Sequence, residues 1–581
     1  MTNIFHNNSP VLEVKDLSIA FNTGSEEIVA VKNLSFKLHK GEIAGIVGES
    51  GSGKSVTALA VMGLLQCPPA RITSGEILFY KENASPVDIV SMPESELRHL
   101  RGNLISMVFQ EPMTSLNPVY RCGEQVAEVI IEHQKVSTRE AREKVISLFE
   151  EVLLPRPEDI YKAYPHQLSG GQKQRVMIAM AIANNPSVII ADEPTTALDV
   201  TVQKTILELL KSIRDKYNIA IIFITHDLGV IADIADKVIV MYKGENVEEN
   251  TVAKIFKAPS HPYTHGLLAC RPDMKKRLKI LPTVSDFLNN DPQSDTLKNI
   301  LEHEVSRDER IENHVELYKG EPLLKVRNLT TSFIVSSPFF SLKPKTFNVL
   351  KNISFDVYKG ETLGLVGESG CGKTTLGRSI LRLIEPASGE VFYNNTNITA
   401  LSKKEFRHYR RELQIIFQDP YSSLNPRLTI GQAIIEPLEV YNILPTYKLR
   451  KERTIELLEK VGLSETHYNR YPHEFSGGQR QRIVIARTLA LNPRFIICDE
   501  SVSALDVSIQ AQVLNLLNQL KNEFGLTYIF ISHDLSVVKY LADRIIIMKD
   551  GEIVETNEAD ALYANPKEEY TRKLINAIPK I

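Results

Sequence analysis

Gly48-Glu-Ser-Gly-Ser-Gly-Lys-Ser55 and Gly367-Glu-Ser-Gly-Cys-Gly-Lys-Thr374 spell the same eight-residue pattern twice: Gly, four residues, Gly-Lys and a hydroxyl residue. Glycines let such a loop wrap tightly, so that backbone N–H groups converge on a phosphate. The lysine supplies a point charge, and the hydroxyl of Ser55 or Thr374 suits Mg²⁺. A pair of ordinary glycine turns is the plain alternative, and a second copy weighs against it. Gly48, Ser50, Gly51, Gly53, Lys54 and Ser55 are thus candidates for holding phosphate. So are Gly367, Ser369, Gly370, Gly372, Lys373 and Thr374.

The repeat extends well beyond these loops. Val11–Phe21 parallels Leu323–Phe333, and Lys32–Phe36 parallels Lys351–Phe355. Ser169-Gly-Gly-Gln172 parallels Ser476-Gly-Gly-Gln479, and from there a constant offset of about 307 residues also pairs Tyr263-Thr264 with Tyr570-Thr571. A period this long means a duplicated domain. Each half alternates strand and helix. Ile43–Val47 is a short apolar run before the loop, and a helix is predicted from Lys54 to about Leu65. Val188–Ala191 and Ile219–Thr225 read as strands buried on both faces. The pattern predicts a mostly parallel α/β core. Between Gln110 and Ser169 it turns helical, with Ser137-Thr-Arg-Glu140 as a capping box.

Residues 286–320 carry nine acidic side chains, among them Asp286, Glu302, Asp308 and Glu316, against Lys298, Arg307, Arg310 and Lys319. This composition reads as a solvated acidic linker, with a helix over part of it as the alternative. It divides the chain into domains at 1–285 and 321–581.

Five further elements are candidates for chemistry, each in two copies. Val188-Ile-Ile-Ala-Asp192-Glu193 and Phe495-Ile-Ile-Cys-Asp499-Glu500 place paired carboxylates at the carboxyl end of a buried strand, where open α/β sheets bind ligands. Asp192 and Asp499 suit Mg²⁺. Glu193 and Glu500 suit a base that orients water for attack on a γ-phosphate. Ser169, Gly170, Gly171 and Gln172 open a predicted helix, as do Ser476, Gly477, Gly478 and Gln479. A bared helix N-terminus attracts an anion, although an ordinary helix start explains one copy equally well. His226 and His533 each follow an apolar strand, where a lone histidine is more often a structural hydrogen-bond partner than a catalyst. Gln110 and Gln418 follow strands and mean little by themselves. Phe21 and Phe333 suit adenine stacking or plain core.

The 581 residues exceed one ordinary core. A formal net charge of −3 gives no electrostatic case for nucleic acid. Cys67, Cys122, Cys270, Cys371 and Cys498 are scattered, which argues against a zinc site or a disulfide framework and fits a reducing compartment. No apolar run reaches membrane-spanning length, and the N-terminus lacks a signal-peptide pattern.

Across nearly the whole chain both halves resemble the nucleotide-binding domains of ATP-binding cassette (ABC) transporters. The resemblance rests on an ordered set: phosphate loop, Gln110 or Gln418, Ser-Gly-Gly-Gln signature, Asp-Glu strand, Ala-Leu-Asp loop (Ala197–Asp199, Ala504–Asp506) and His226 or His533. Gln110–Pro118, Gln418–Pro426, Tyr164–Ser169 and His261–Thr264 are similar to the dipeptide, oligopeptide and nickel importer ATPases. The chain looks like the fused form, similar to those serving glutathione or peptide-antibiotic importers.

The resemblance implies two tandem cassettes, each a mostly parallel P-loop α/β core with a small antiparallel β part and a helical insertion. It implies ATP hydrolysis with Mg²⁺ held by Ser55, Gln110 and Asp192, and by Thr374, Gln418 and Asp499. Glu193, His226, Glu500 and His533 would be catalytic. Two head-to-tail sites would each join one half's loop to the other half's signature. The implied partners are two transmembrane permease subunits and, indirectly, an extracytoplasmic solute-binding protein. The chain would sit peripherally on the cytoplasmic face of the bacterial inner membrane, with no nucleic acid partner. By the same resemblance, Glu111–Asn117 and Asp419–Asn425 are expected to contact the permease, with Leu116 and Leu424 as test positions.

Three departures stand out. Ser501 replaces the proline kept at Pro194. Cys270 stands alone where several relatives carry a cysteine cluster, so no iron–sulfur centre is expected. Residues Ser336–Thr346 lengthen the second half. Two other functions compete with peptide import. One is a nickel or small-solute importer. The other is a soluble twin-cassette translation factor, which the acidic connector disfavours.

Overall fold

Each phosphate loop leaves the middle of a parallel sheet. In the computed structural model, which describes residues 9–22, 24, 27–81, 85–110, 115–196, 198–289, 295–336, 345–503 and 505–578, strand Ile43–Val47 is buried along its whole length. It pairs in parallel with Ala220–Ile224 on one side and Lys237–Tyr242 on the other. Val188–Asp192 and then Ile105–Val108 extend the sheet in parallel, and Glu245–Thr251 closes the opposite edge antiparallel. Helices cover both faces, so the central strands carry uninterrupted Ile, Val and Ala. Fully burying such a side chain contributes about 1.5–3 kcal/mol for Val or Ile. The second half repeats the order with Leu413–Ile416, Phe495–Asp499, Thr527–Ile531, Thr362–Val366, Arg544–Lys549 and Glu552–Glu558.

A separate antiparallel sheet accompanies each core. The first runs Glu27–Leu38, Leu12–Asn22, Ala70–Phe79 and Val87–Asp88. The second runs Lys345–Tyr358, Pro322–Ser336, Ser388–Tyr393 and Thr396–Asn397. A helical insertion lies between the Gln110 or Gln418 strand and the Ser-Gly-Gly segment: Cys122–Gln134 and Thr138–Glu151 in one half, Ile430–Val440 and Tyr447–Lys460 in the other. Ser137 and Glu140 form the expected capping box.

One expectation needs correction. The helix after the first phosphate loop spans Lys54–Val61 and stops short of Leu65, because Gly63 turns left-handed at φ 62°. By their contacts, the described residues form two units that divide between Leu268 and Ala269. Residues 295–302 and 307–317 are helical, the alternative that the composition left open, and the segment stays largely exposed, with Leu297 and Arg310 buried. Basic side chains in this segment and just before it make the anchoring contacts. Arg277 donates to the carbonyls of Tyr540 (2.9 Å), Lys539 (2.6 Å) and Ala542 (2.6 Å), at the end of helix Leu535–Leu541. Arg310 pairs with Glu558 and Asp560. Asn515 exchanges two hydrogen bonds with the Leu281 backbone. A composition count sees the acidic excess, whereas packing is decided by which few charges meet partners. Ala197, Ala504, Glu111–Thr114 and residues 337–344 of the second-half extension lie outside the described residues.

Candidate nucleotide site

In each unit the parallel strands send the phosphate loop and the Asp-Glu pair to the same carboxyl end of the sheet. Gly53 and Gly372 cap the loop helices at φ 100° and 103°, a conformation that a side chain would strain. Lys54 Nζ folds back onto the carbonyls of Gly48 and Glu49, both at 2.8 Å. Lys373 does the same with Gly367 (2.7 Å) and Glu368 (3.0 Å). Ser50, Gly51, Ser369 and Gly370 form the exposed crown of each loop, and Ser55 and Thr374 point inward. Ser55 Oγ donates to Asp192 Oδ1 at 3.2 Å, and Thr374 Oγ1 to Asp499 Oδ1 at 2.8 Å. Hydroxyl, carboxylate and a nearby glutamine amide form an all-oxygen donor set with few charges, the type that holds Mg²⁺ together with phosphate and water.

The second carboxylate of each pair is set differently. Glu193 and Glu500 sit at φ 47° and 48°, left-handed positions that a non-glycine residue occupies only when its surroundings enforce it. Gln110 Nε2 donates to Glu193 Oε2 at 2.9 Å, and His226 Nδ1 lies 3.1 Å from Oε1. In the second unit Gln418 Nε2 reaches Glu500 Oε2 at 2.7 Å, and His533 Nδ1 stands 3.6 Å from the same oxygen. The isolated glutamines and histidines of the sequence are therefore gathered around one carboxylate in each half.

Electrostatics separates the paired acids. Burial pushes Asp192 up to about 6, against the Ser55 hydrogen bond, and raises Asp499 in the same way. Burial also acts to raise Glu193 and Glu500, but the neighbouring imidazoles of His226 and His533 outweigh it and leave both lowered. The histidines respond in kind: burial lowers them, and the glutamates more than compensate.

The Ser-Gly-Gly segments bond within their own helix starts. Ser169 and Ser476 are full capping boxes with Gln172 and Gln479. Gly171 and Gly478 also have a packing reason, since a Cβ there would lie 2.6 Å from Val202 and 2.2 Å from Ile509. Gly170 and Gly477 are exposed. Asp199 and Asp506 cap the helices Val200–Tyr217 and Val507–Phe524. Phe21 packs against the first core, whereas Phe333 is exposed.

Two features escaped the sequence reading. Tyr263 and Tyr570 bring their hydroxyls to the loop amides of Glu49 (2.9 Å) and Glu368 (3.2 Å). Their repeat spacing was legible, but nothing local tied them to loops roughly 200 residues earlier. Thr196 Oγ1 donates to Glu193 Oε2 at 2.9 Å. One expectation fails: Leu116 and Leu424 are buried, at 1% and 2% exposure, and so are core residues. Val119, Tyr120 and Tyr421 are among the large side chains exposed nearby.

A phosphate loop, an Asp-Glu strand end, a glutamine and a histidine, built twice on one α/β plan, define a twin-cassette ATPase, and the chain belongs to the ABC transporter family, whose pattern matches residues 31–196 and 350–503. The oligopeptide/dipeptide transporter C-terminal region also matches twice, at 247–294 and 554–581. The chain is 49% identical over 569 residues to the glutathione import ATP-binding protein GsiA of Escherichia coli strain K12, covering 98% of this chain and 89% of that protein. The GsiA of Shigella boydii serotype 4 shows the same identity and coverage, and that of Salmonella choleraesuis is 48% identical over 570 residues. No helix among the described residues is long and apolar enough to cross a membrane.

Proposed function

We propose that this chain couples ATP hydrolysis to uptake of peptides or small peptide-like solutes, glutathione among them, through permease subunits at the bacterial inner membrane. The carrying observation is that each half holds a full set of loop lysine, hydroxyl, two carboxylates, glutamine and histidine, and that the same chain is similar end to end to glutathione import ATPases. Mg²⁺ would be held by Ser55, Asp192 and Gln110, and by Thr374, Asp499 and Gln418. When bound, it neutralises charge developing on the transferred phosphoryl group.

The residues of the chain then divide the work. Lys54 and Lys373 bind phosphate. Glu193 and Glu500, kept ionised beside His226 and His533, orient the attacking water. Ser169–Gln172 and Ser476–Gln479 offer helix N-termini to phosphate oxygens. Solute choice belongs to an extracytoplasmic binding protein and the permease.

The reading is tested by reconstituting the chain with its permease and binding protein in vesicles. Glutathione or a short peptide should stimulate ATP hydrolysis and enter the vesicles. Stimulation by nickel and not by peptide would favour the small-solute alternative and end the peptide reading.

A further inference from the structure

The two catalytic carboxylates stand at the same place in the fold but are not held alike. In the first unit three side-chain donors meet Glu193: His226 at Oε1, and Gln110 and Thr196 at Oε2. A carboxylate offers about four acceptor positions, so the set leaves about one for a water. In the second unit the turn is the same, with Ser503 N–H donating to the Glu500 carbonyl (3.3 Å) as Thr196 N–H does to that of Glu193 (3.2 Å). The hydroxyl, however, differs. Ser503 Oγ turns back onto the Glu500 main-chain carbonyl at 2.8 Å and leaves the carboxylate. With His533 at 3.6 Å, Gln418 is the one side chain among the described residues within hydrogen-bond distance of that carboxylate.

The chemistry of the two residues fits this difference. Threonine is β-branched and stiff at χ1, so once its methyl is seated its hydroxyl direction is fixed. Serine has no such restraint and takes the local backbone acceptor that short hydroxyl side chains favour. Pro194 and Ser501, one residue beyond each glutamate, add to the contrast, since proline restricts the turn on the Thr196 side alone.

We infer that Thr196 is a positioning residue that fixes the Glu193 carboxylate for water activation, that Ser503 does not serve Glu500 in this way, and that the two ATP sites therefore differ in their chemical step. The inference rests on the ATPase reading above. Positioning acts on the reaction and not on nucleotide affinity, because Thr196 reaches the carboxylate and not the phosphate loop.

The test is single-turnover ADP formation from pre-bound Mg·ATP, by the full chain with its permease, beside equilibrium ATP binding. Thr196→Val keeps the shape and removes the donor. It should slow ADP formation roughly ten- to hundredfold, the loss expected for one hydrogen bond to a charged group. The slowing should affect half the bound ATP if the sites act independently and all of it if they act in concert, with ATP affinity changed less than about twofold. Thr196→Ser should recover part of the rate, and Ser503→Ala should leave it within about twofold. Ser503→Thr should speed the slower site. Equal losses from Thr196→Val and Ser503→Ala, or a Thr196→Val variant that forms ADP at the original rate, would overturn the inference. So would a loss confined to ATP affinity. An unmodified chain that forms no ADP would overturn the ATPase reading and this inference together.

Discussion

Glu49 and Tyr263 are joined by a hydrogen bond of 2.9 Å, the loop amide donating to a fully buried phenol. It ties the phosphate loop to the C-terminal region shared with oligopeptide transporters, and Glu368 with Tyr570 repeats it. Tyr263→Phe keeps the ring packing and leaves the amide without its acceptor. The net cost of one such bond is about 0.5–1.5 kcal/mol. ATP affinity at the first loop should fall about three- to tenfold, read by equilibrium titration, and unchanged affinity would show that the tyrosine serves packing alone.

Glu193→Gln and Glu500→Gln should each cut steady-state hydrolysis at least about a hundredfold at the altered site while ATP still binds. Lys54→Ala with Lys373→Ala should do the reverse and remove most of the affinity. The phosphate charge partner is then lost, and so is the staple across Gly48–Glu49 and Gly367–Glu368. A pair of glutamine variants that hydrolyse normally would move the base elsewhere.

Mg²⁺ binding should depend on pH. The Asp192 carboxyl titrates near about 6 because it is buried, so below that value protons compete with the metal. Mg²⁺ affinity should be level above pH 6 and fall toward tenfold per unit below it. The same shift has a stability consequence. The folded-state value lies above the unfolded one, so ionising Asp192 in the metal-free protein costs stability, and the cost develops as pH rises from about 4 to 6. Asp192→Asn should therefore raise the metal-free Tm at pH 7 and abolish Mg²⁺-dependent hydrolysis. A lower Tm would contradict the burial argument.

Arg277→Leu should destabilise the second unit. The guanidinium satisfies three carbonyls at the end of helix Leu535–Leu541, whose N-cap Asp534 directly follows His533. Leaving buried carbonyls unpaired costs about 1–3 kcal/mol each. Hydrogen exchange should rise in residues 535–542 and stay level in 228–235.

Coupling to the permease should run through Val119, Tyr120 and Tyr421, which are 72%, 56% and 52% exposed. Val119→Asp with Tyr421→Asp should weaken co-purification with the permease and leave ATP affinity intact. Leu116→Asp and Leu424→Asp, by contrast, bury a charge and should lower the yield of folded protein. The chain alone should not sediment with protein-free liposomes, since its membrane contact is assigned to partners.

Most of the architecture was legible because it is written in local patterns and written twice. Gly48–Ser55 needs its glycines for a left-handed turn at Gly53. Val188–Asp192 needs unbroken apolar residues because the strand is covered on both faces. Ser137 and Ser169 signal helix starts within four residues. Such constraints act between near neighbours, and sequence records near neighbours directly. Tertiary structure alone decided which distant side chains meet. It brought Gln110, Thr196 and His226 to one carboxylate, Tyr263 to Glu49, and Arg277 to the end of a helix more than 250 residues away. It also reversed the reading of Leu116 and decided which few basic side chains anchor the acidic connector, because burial and charge pairing are set by the surface that packs opposite, and no composition or period carries that information.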